Sequence, residues 1–213
     1  PMPDPCYPKY VGAPELYELH AMLCLESECD ETRALTRRIG LRRAELVQEE
    51  ARAPTPGLPN GTSFYFRVNG VTVYAKGANL IPAHVFATAE GDGRWRWLLR
   101  QAADAHMNMV RVWGGGRYQP DEFYTLCDEL GLMVWQEMIF ACALYPRDDA
   151  FLAAVSQEVR EQVARLAHHA SIVVWGGNNE NEAALDWYGT APTHGTPPGP
   201  HAGRHPVCPR GRT

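Results

Sequence analysis

Short apolar strand patterns alternate with amphipathic helix patterns between residues 63 and 185, and this rhythm constrains the fold more than any other feature. The strand patterns end at Asn79, Trp113, Trp135 and Trp175. The longest helix pattern covers residues 148–168, and its apolar stripe consists of Phe151, Leu152, Val155, Val159, Val163 and Leu166. Continuous apolar strands that alternate with amphipathic helices predict an α/β fold with a parallel sheet covered by helices.

The number of strand–helix steps indicates which α/β architecture this is. Four steps in about 120 residues are half of a (β/α)8 TIM barrel, which takes about 250 residues. A doubly wound α/β domain is the alternative, but its glycine-rich phosphate fingerprint is absent from the sequence. The sequence therefore predicts the first half of a barrel over residues 63–188.

The segments on either side of this region have a different character. Residues 1–49 contain two alternating, strand-like runs, which predict the C-terminal part of a β-sandwich domain. Residues 50–62, rich in Ala, Pro and Gly, predict a linker. Residues 189–213 contain many Pro and Gly and no Leu, Ile, Phe or Met, so we expect a disordered tail.

Charge and cysteine spacing argue against several classes of partner. The net charge is −5 and there is no basic block, which speaks against a nucleic-acid partner. No apolar run approaches the roughly 20 residues that span a membrane. The six cysteines form no CxxC pair, so a zinc site is not expected, and nothing indicates a cofactor. The sequence does not predict an oligomeric state.

Polar or glycine-rich residues follow each predicted strand of the parallel sheet. They form the segments 76–79, 111–116, 135–137 and 175–182. In a β/α barrel, the loops at the C-terminal ends of the strands meet at one face, where catalytic groups lie. The sequence therefore predicts a polar pocket at this face.

Glu180 is the candidate catalytic residue in this pocket. A glycosidase uses one protonated carboxylic acid to release the leaving oxygen and, in retaining enzymes, a second carboxylate about 5 Å away as nucleophile. The alternative is a Glu that caps the next helix. Arg111 has two interpretations as well: a guanidinium that keeps a nucleophilic carboxylate ionised, or a structural ion pair. Trp113 either stacks on a sugar or belongs to the core, while Glu137 and Glu182 either rim the pocket or cap helices.

The chain resembles the β-mannosidases of glycoside hydrolase family 2. The matching segments occur in the family's order and lie within roughly residues 14–188. They are residues 63–70, 76–79, 108–116, 121–124, 127–131, 140–146 and 175–182. The resemblance implies an immunoglobulin-like sandwich domain followed by a barrel, and retaining hydrolysis of terminal, non-reducing β-mannosyl residues of oligosaccharides. It also implies a lysosomal location for an animal member.

The resemblance also implies roles for individual residues. Glu180 matches the family's acid/base, Asn179 the residue that bonds the sugar 2-hydroxyl, and Arg111 the residue beside the nucleophile. Asn79 and Trp113, which lie in matching segments, are expected to bind the substrate as well. The family nucleophile is a Glu on the seventh strand, and we expect no residue of this chain to take that role.

Three positions depart from the family pattern: Leu80 and His84 replace the usual Trp and Asp, and Glu137 replaces Asp. Two other functions stay open at this point. One is a catalytically inactive isoform or pseudogene product with at most weak sugar binding. The other is a sibling activity such as that of a β-galactosidase or β-glucuronidase, which the double Asn before Glu180 disfavours.

Overall fold

The fold combines an antiparallel region with a four-stranded parallel sheet. The computed structural model describes residues 4–9, 11–22, 24–25, 28–29, 34–50, 61–86 and 93–187. Most of the predicted linker and the whole predicted tail lie outside these residues. The predicted domain boundaries therefore stay predictions.

The first part of the chain forms antiparallel strands. They are β1 (Tyr17–Ala21), β2 (Cys24–Leu25), β3 (Glu28–Cys29), β4 (Leu35–Ile39), β5 (Ala44–Val47), β6 (Tyr65–Val68) and β7 (Val71–Val73). β1 pairs with β4, β2 with β3, and β6 lies between β5 and β7. Because β5 and β6 pair, one small sheet joins the two sides of the predicted linker.

The second part of the chain has the predicted strand–helix alternation. Its elements are β8 (Gly77–Leu80), α1 (Arg94–Asp104), β9 (Met109–Val112), α2 (Asp121–Leu130), β10 (Met133–Glu137), α3 (Asp149–Leu166), β11 (Ile172–Gly176) and α4 (Asn181–Trp187). The strands pair in parallel in the order β11-β10-β9-β8. Sequential neighbours in one parallel sheet are the arrangement of consecutive β/α barrel units, so the predicted fold class is confirmed.

Local turn and cap residues explain where the elements begin and end. Asn69 and Gly70 connect β6 to β7 with φ angles of 49° and 80°, and two positive angles are what a two-residue hairpin turn requires. Pro120 precedes α2 in an extended conformation, and Gly131 ends that helix with a φ of 66°.

Two apolar clusters hold the parallel sheet in place. One lies between the sheet and the helices and includes Leu99, Val112, Phe123 and Leu132. The other lies between the sheet and the β6–β7 hairpin. The stripe predicted for α3 is only partly correct: Leu166 is buried and Phe151, Val155, Val159 and Val163 are half-buried, but Leu152 is 51% exposed. Within the described ranges, no helix is both long and apolar enough to cross a bilayer.

The N-terminal region packs against the end of the sheet where the parallel strands begin. The Lys9 N–H donates to the Gly131 carbonyl at 2.8 Å, just before β10. Arg42 Nε donates to the Ala170 carbonyl at 2.6 Å, just before β11. These contacts occupy the N-terminal ends of the strands, so the opposite edge, where the strands end, is left for the candidate site.

Candidate functional site

The parallel register places the predicted polar residues side by side. Arg111 of β9 is directly paired with Asn79 of β8 on one side and with Trp135 of β10 on the other. Residues at the same register position point to the same face of a sheet. The guanidinium carbon of Arg111 lies 5.0 Å from the centre of the Trp135 ring, which is a cation–π contact.

Arg111 of β9 is the centre of a hydrogen-bond network that reaches the C-terminal ends of the three other parallel strands. Its Nε and Nη2 donate to Glu137 Oε1 at 2.9 and 2.5 Å. Nη1 donates to Asn79 Oδ1 at 3.2 Å, and Nη2 also donates to Asn179 Oδ1 at 2.7 Å. Arg111 thus forms an ion pair with Glu137. The network also connects this pair to both predicted sugar-binding amides.

Glu137 lies at the buried end of this network. Its side chain is 2% exposed, and its Oε2 accepts from the Gly114 N–H at 2.8 Å. Gly114 is needed here, because a Cβ would lie 2.7 Å from the Phe140 carbonyl oxygen and 3.3 Å from Glu137 Oε2. Both carboxylate oxygens of Glu137 are therefore occupied, and Glu137 neither rims the pocket nor caps a helix.

A short backbone bridge connects the loops that follow β10 and β11. The Asn179 N–H donates to the Phe140 carbonyl at 2.8 Å, and the Cys142 N–H donates to the Asn179 carbonyl at 2.9 Å. Cys142 and Glu180 have positive φ angles of 52° and 59°. Such conformations cost about 1–3 kcal/mol each and concentrate at functional sites.

Glu180 directly precedes α4, and a different residue caps this helix. The Asn181 N–H donates to Asn178 Oδ1 at 3.1 Å. Glu180 is exposed, and its Oε2 lies 3.4 Å from Asn179 Nδ2 and 3.6 Å from Cys142 Sγ. The carboxyl group of Glu180 thus faces the polar edge instead of the N-terminus of α4.

Trp113 and two of the positions that depart from the family pattern, Leu80 and His84, lie outside this network, whereas the third, Glu137, is part of it. Trp113 is half-buried, and its ring lies so close to Gly115 that a Cβ there would be 2.0 Å from Cη2. Leu80 packs against the cluster under the helices. His84 Nδ1 accepts from the Phe86 N–H at 3.0 Å, which is a local turn contact.

The structure adds Cys142 to the residues that the sequence singled out. Cys142 Sγ is 3.3 Å from Asn179 Nδ2 and therefore contacts both Asn179 and Glu180. The only signal in the sequence was its place in the segment 140–146, shortly after a strand end. In the described part of the chain, no group of His, Cys, Asp and Glu side chains is arranged to hold a metal ion.

Comparison with solved structures first shows the fold. The apo structure of β-glucuronidase 3 from Bacteroides uniformis aligns with 84% of this chain and 20% of its own, with a TM-score of 0.65 and 22% identity. This likeness shows that the chain has the fold of a segment of a glycosidase. No family model matches the chain.

The β-mannosidases are more similar than this glucuronidase. The solved β-D-mannosidase from Dictyoglomus thermophilum is 44% identical with a TM-score of 0.76, over 84% of this chain and 21% of that protein. β-Mannosidase from Bos taurus is 52% identical over 157 residues, or 73% of this chain and 17% of the relative. β-Mannosidase B from Thermothelomyces thermophilus is 45% identical over 82% of this chain and 20% of the relative. The chain thus spans about a fifth of the length of these curated relatives, and the predicted resemblance to β-mannosidases is confirmed.

Proposed function

We propose that this chain carries the acid/base half of a retaining glycosidase site that acts on terminal β-mannosides, with Glu180 as the acid/base. The observation that supports this proposal most directly is the position of Glu180. Its carboxyl group is exposed in the loop that follows β11 and lies beside Asn179, while Asn178 caps the following helix. A carboxyl group presented at this face of the sheet is suited to proton transfer at a bound substrate.

The neighbouring residues take supporting roles in this proposal. Asn179 bonds the sugar 2-hydroxyl, and Asn79 and Trp113 contact the same sugar. Arg111 stabilises the ionised form of the nucleophile through its positive charge. The substrate is a β-mannoside oligosaccharide, and the proposed reaction requires no cofactor. A lysosomal location remains a prediction from the resemblance.

The proposed reaction needs a second carboxylate, and Glu137 cannot provide it. Its two oxygens are already bonded to Arg111 and to the Gly114 N–H, and its side chain is 2% exposed. Acid and nucleophile act as one unit, so Glu180 without a partner supports little catalysis. We expect the 213-residue chain alone to hydrolyse no aryl β-mannoside. The competing proposal is a non-catalytic segment with weak sugar binding.

A chimera separates these two proposals. Residues 63–187 replace the matching segment of the Dictyoglomus thermophilum β-mannosidase, an exchange that the TM-score of 0.76 and 44% identity support. We expect the chimera to hydrolyse aryl β-mannosides in preference to aryl β-galactosides and β-glucuronides. A folded but inactive chimera would support the non-catalytic alternative.

Within the chimera, Glu180→Gln is compared with Glu182→Gln, a change of the same type two residues away in the first turn of α4. Glu180→Gln should lower turnover of poorly activated aryl β-mannosides by about 10²–10⁴-fold, because general acid–base catalysis is lost. A dinitrophenyl leaving group needs no protonation, so the glycosyl-enzyme still forms. Azide then attacks the anomeric carbon, releases the nucleophilic carboxylate and yields β-mannosyl azide without a general base. Equal losses in both variants, or no azide product, would contradict the role of Glu180.

A further inference from the structure

We infer that Glu137 is a positioning residue that acts through Arg111 to fix the orientation of the Asn179 amide beside Glu180. The inference rests on the proposed function for its catalytic meaning, but its physical content concerns contacts within this chain. The connection runs from Glu137 to Arg111 to Asn179, over 2.5 Å and then 2.7 Å, and both contacts use Nη2 of Arg111.

The first step is the fixation of Arg111. Glu137 Oε1 accepts from both Nε and Nη2, so the carboxylate contacts the edge of the guanidinium plane at two points. Glu137 is itself held by the Gly114 N–H at its second oxygen. Charge-assisted hydrogen bonds are about twice as strong as neutral ones, so this pair sets the plane of the guanidinium.

The second step is the orientation of the Asn179 amide. A guanidinium has hydrogen-bond donors and no acceptor, so only the oxygen of the Asn179 side chain can face Arg111. The amide nitrogen must then point the opposite way. There it lies 3.4 Å from Glu180 Oε2 and 3.3 Å from Cys142 Sγ.

Without the contact to Arg111, either end of the Asn179 side-chain amide can face Glu180. The two ends of an Asn side chain have nearly the same shape, and their orientation is decided only by hydrogen-bond partners. The backbone bridge to Phe140 and Cys142 fixes the main chain of Asn179 but does not select which end of the amide faces Glu180. Glu137 fixes Arg111, and Arg111 binds the oxygen of the Asn179 amide. The amide N–H donor therefore faces Glu180 and a bound hydroxyl group.

The test uses nuclear magnetic resonance on the full 213-residue chain, so it does not depend on turnover. The probes are the Asn179 side-chain amide, assigned by its disappearance in Asn179→Ala, and the Arg111 Nε–H. In Glu137→Gln, we expect water exchange of the Asn179 amide protons to rise about tenfold, the factor expected for loss of one hydrogen bond. Glu137→Asp keeps the charge and should restore part of the protection. Glu122→Gln, an exposed change of equal charge on α2, should leave both signals unchanged.

A second variant covers the case in which Glu137→Gln does not fold. Arg111→Lys keeps a positive charge near Glu137 but lacks the planar fork, so it should release the Asn179 amide in the same way. If the Arg111 signal changes and the Asn179 amide stays protected in a folded variant, the bridge alone positions Asn179 and the inference is overturned. Such a result would leave the chimera test of Glu180 unaffected. Conversely, an inactive chimera would leave these signals as evidence for the network itself.

Discussion

At the residue scale, the site depends on glycines that allow backbone and side chains to approach closely. A Cβ on Gly77 would lie 2.0 Å from the Met109 carbonyl oxygen, on the neighbouring strand. Real Cβ atoms do not approach a backbone atom so closely, and a strand carbonyl cannot move away without breaking its pairing. Gly77 therefore permits the β8–β9 pairing that places Asn79 beside Arg111.

We predict that Gly77→Ala destabilises the chain, because the new methyl group must separate β8 from β9. Overpacking of this kind costs about 1–3 kcal/mol. Gly61→Ala is the matched control, since a Cβ at Gly61 meets no atom within 4 Å. Urea unfolding, followed by tryptophan fluorescence, measures both. A midpoint for Gly77→Ala equal to that of Gly61→Ala would show that the two strands separate without cost.

The same scale shows what could be predicted from single residues. Glu180, Arg111 and Asn79 lie where apolar strand patterns end, and Asn179 is implied by the resemblance to β-mannosidases. The structure joins all four in one network. The burial of Glu137 could not be predicted, because it depends on contacts with Arg111 and Gly114 from another strand and loop. Sequence position places a residue at a strand end, but only the pairing of strands decides whether its charge is buried.

At the element scale, features set by the local sequence were predictable, whereas features set by long-range contacts were not. The turn at Asn69–Gly70 and the end of α2 at Gly131 were predictable, because left-handed backbone conformations favour Asn and Gly. The pairing of β5 with β6 was not predictable, since the sequence pattern of a strand does not identify the strand with which it pairs. Likewise the helical spacing of apolar residues in α3 predicted an apolar stripe but not which of its residues are buried, and Leu152 is exposed.

One buried contact connects elements at the beginning of the sheet. Asp128 of α2 accepts from His169 Nδ1 at 2.6 Å and from the Ser171 N–H at 2.8 Å, directly before β11. Asp128 and His169 are each 4% exposed. This carboxylate satisfies two donors that have little access to water, and it ties α2 to the turn that leads into β11.

We predict that Asp128→Ala lowers the free energy of unfolding by about 3–5 kcal/mol, because it leaves both donors without this acceptor. Asp104→Asn, an exposed change at the end of α1, should stay within about 0.5 kcal/mol of the original chain. Thermal unfolding followed by circular dichroism measures both variants. A loss below 1 kcal/mol for Asp128→Ala would mean that water replaces the carboxylate and that the tie between the elements is weak.

At the scale of the whole molecule, the two ends of the parallel sheet have different tasks. The N-terminal region contacts the end of the sheet where the strands begin. Examples are the backbone hydrogen bond from Lys9 to Gly131 and the contact of Arg38 with Glu129 at 2.5 Å. The end of the strands carries the network around Arg111 and the exposed Glu180. This separation allows the junction between the regions to be tested without touching the proposed catalytic residues.

His168 is the titratable group with which the junction can be tested. Burial lowers the pKa of His168, and the neighbouring His169 and Arg37 of β4 lower it further. The rings of His168 and His169 have centroids 4.1 Å apart. Because the pKa in the folded state lies below the unfolded value of about 6.5, folding favours the neutral ring. The unfolded chain then binds the proton more readily, so this contribution to stability is present above pH 6.5 and is lost as the pH falls below it.

We predict that His168→Gln makes the melting temperature less sensitive to acid between about pH 6.5 and 5, because a neutral side chain removes the difference in proton binding. His20→Gln, an exposed histidine on β1, should keep the acid sensitivity of the original chain. The test is to measure the melting temperatures of the original chain and of both variants across this pH range. Parallel curves for His168→Gln and the original chain would assign the acid response to other groups. A flatter curve for His168→Gln alone would place part of the molecule's pH response at the contact between the N-terminal strands and the parallel sheet.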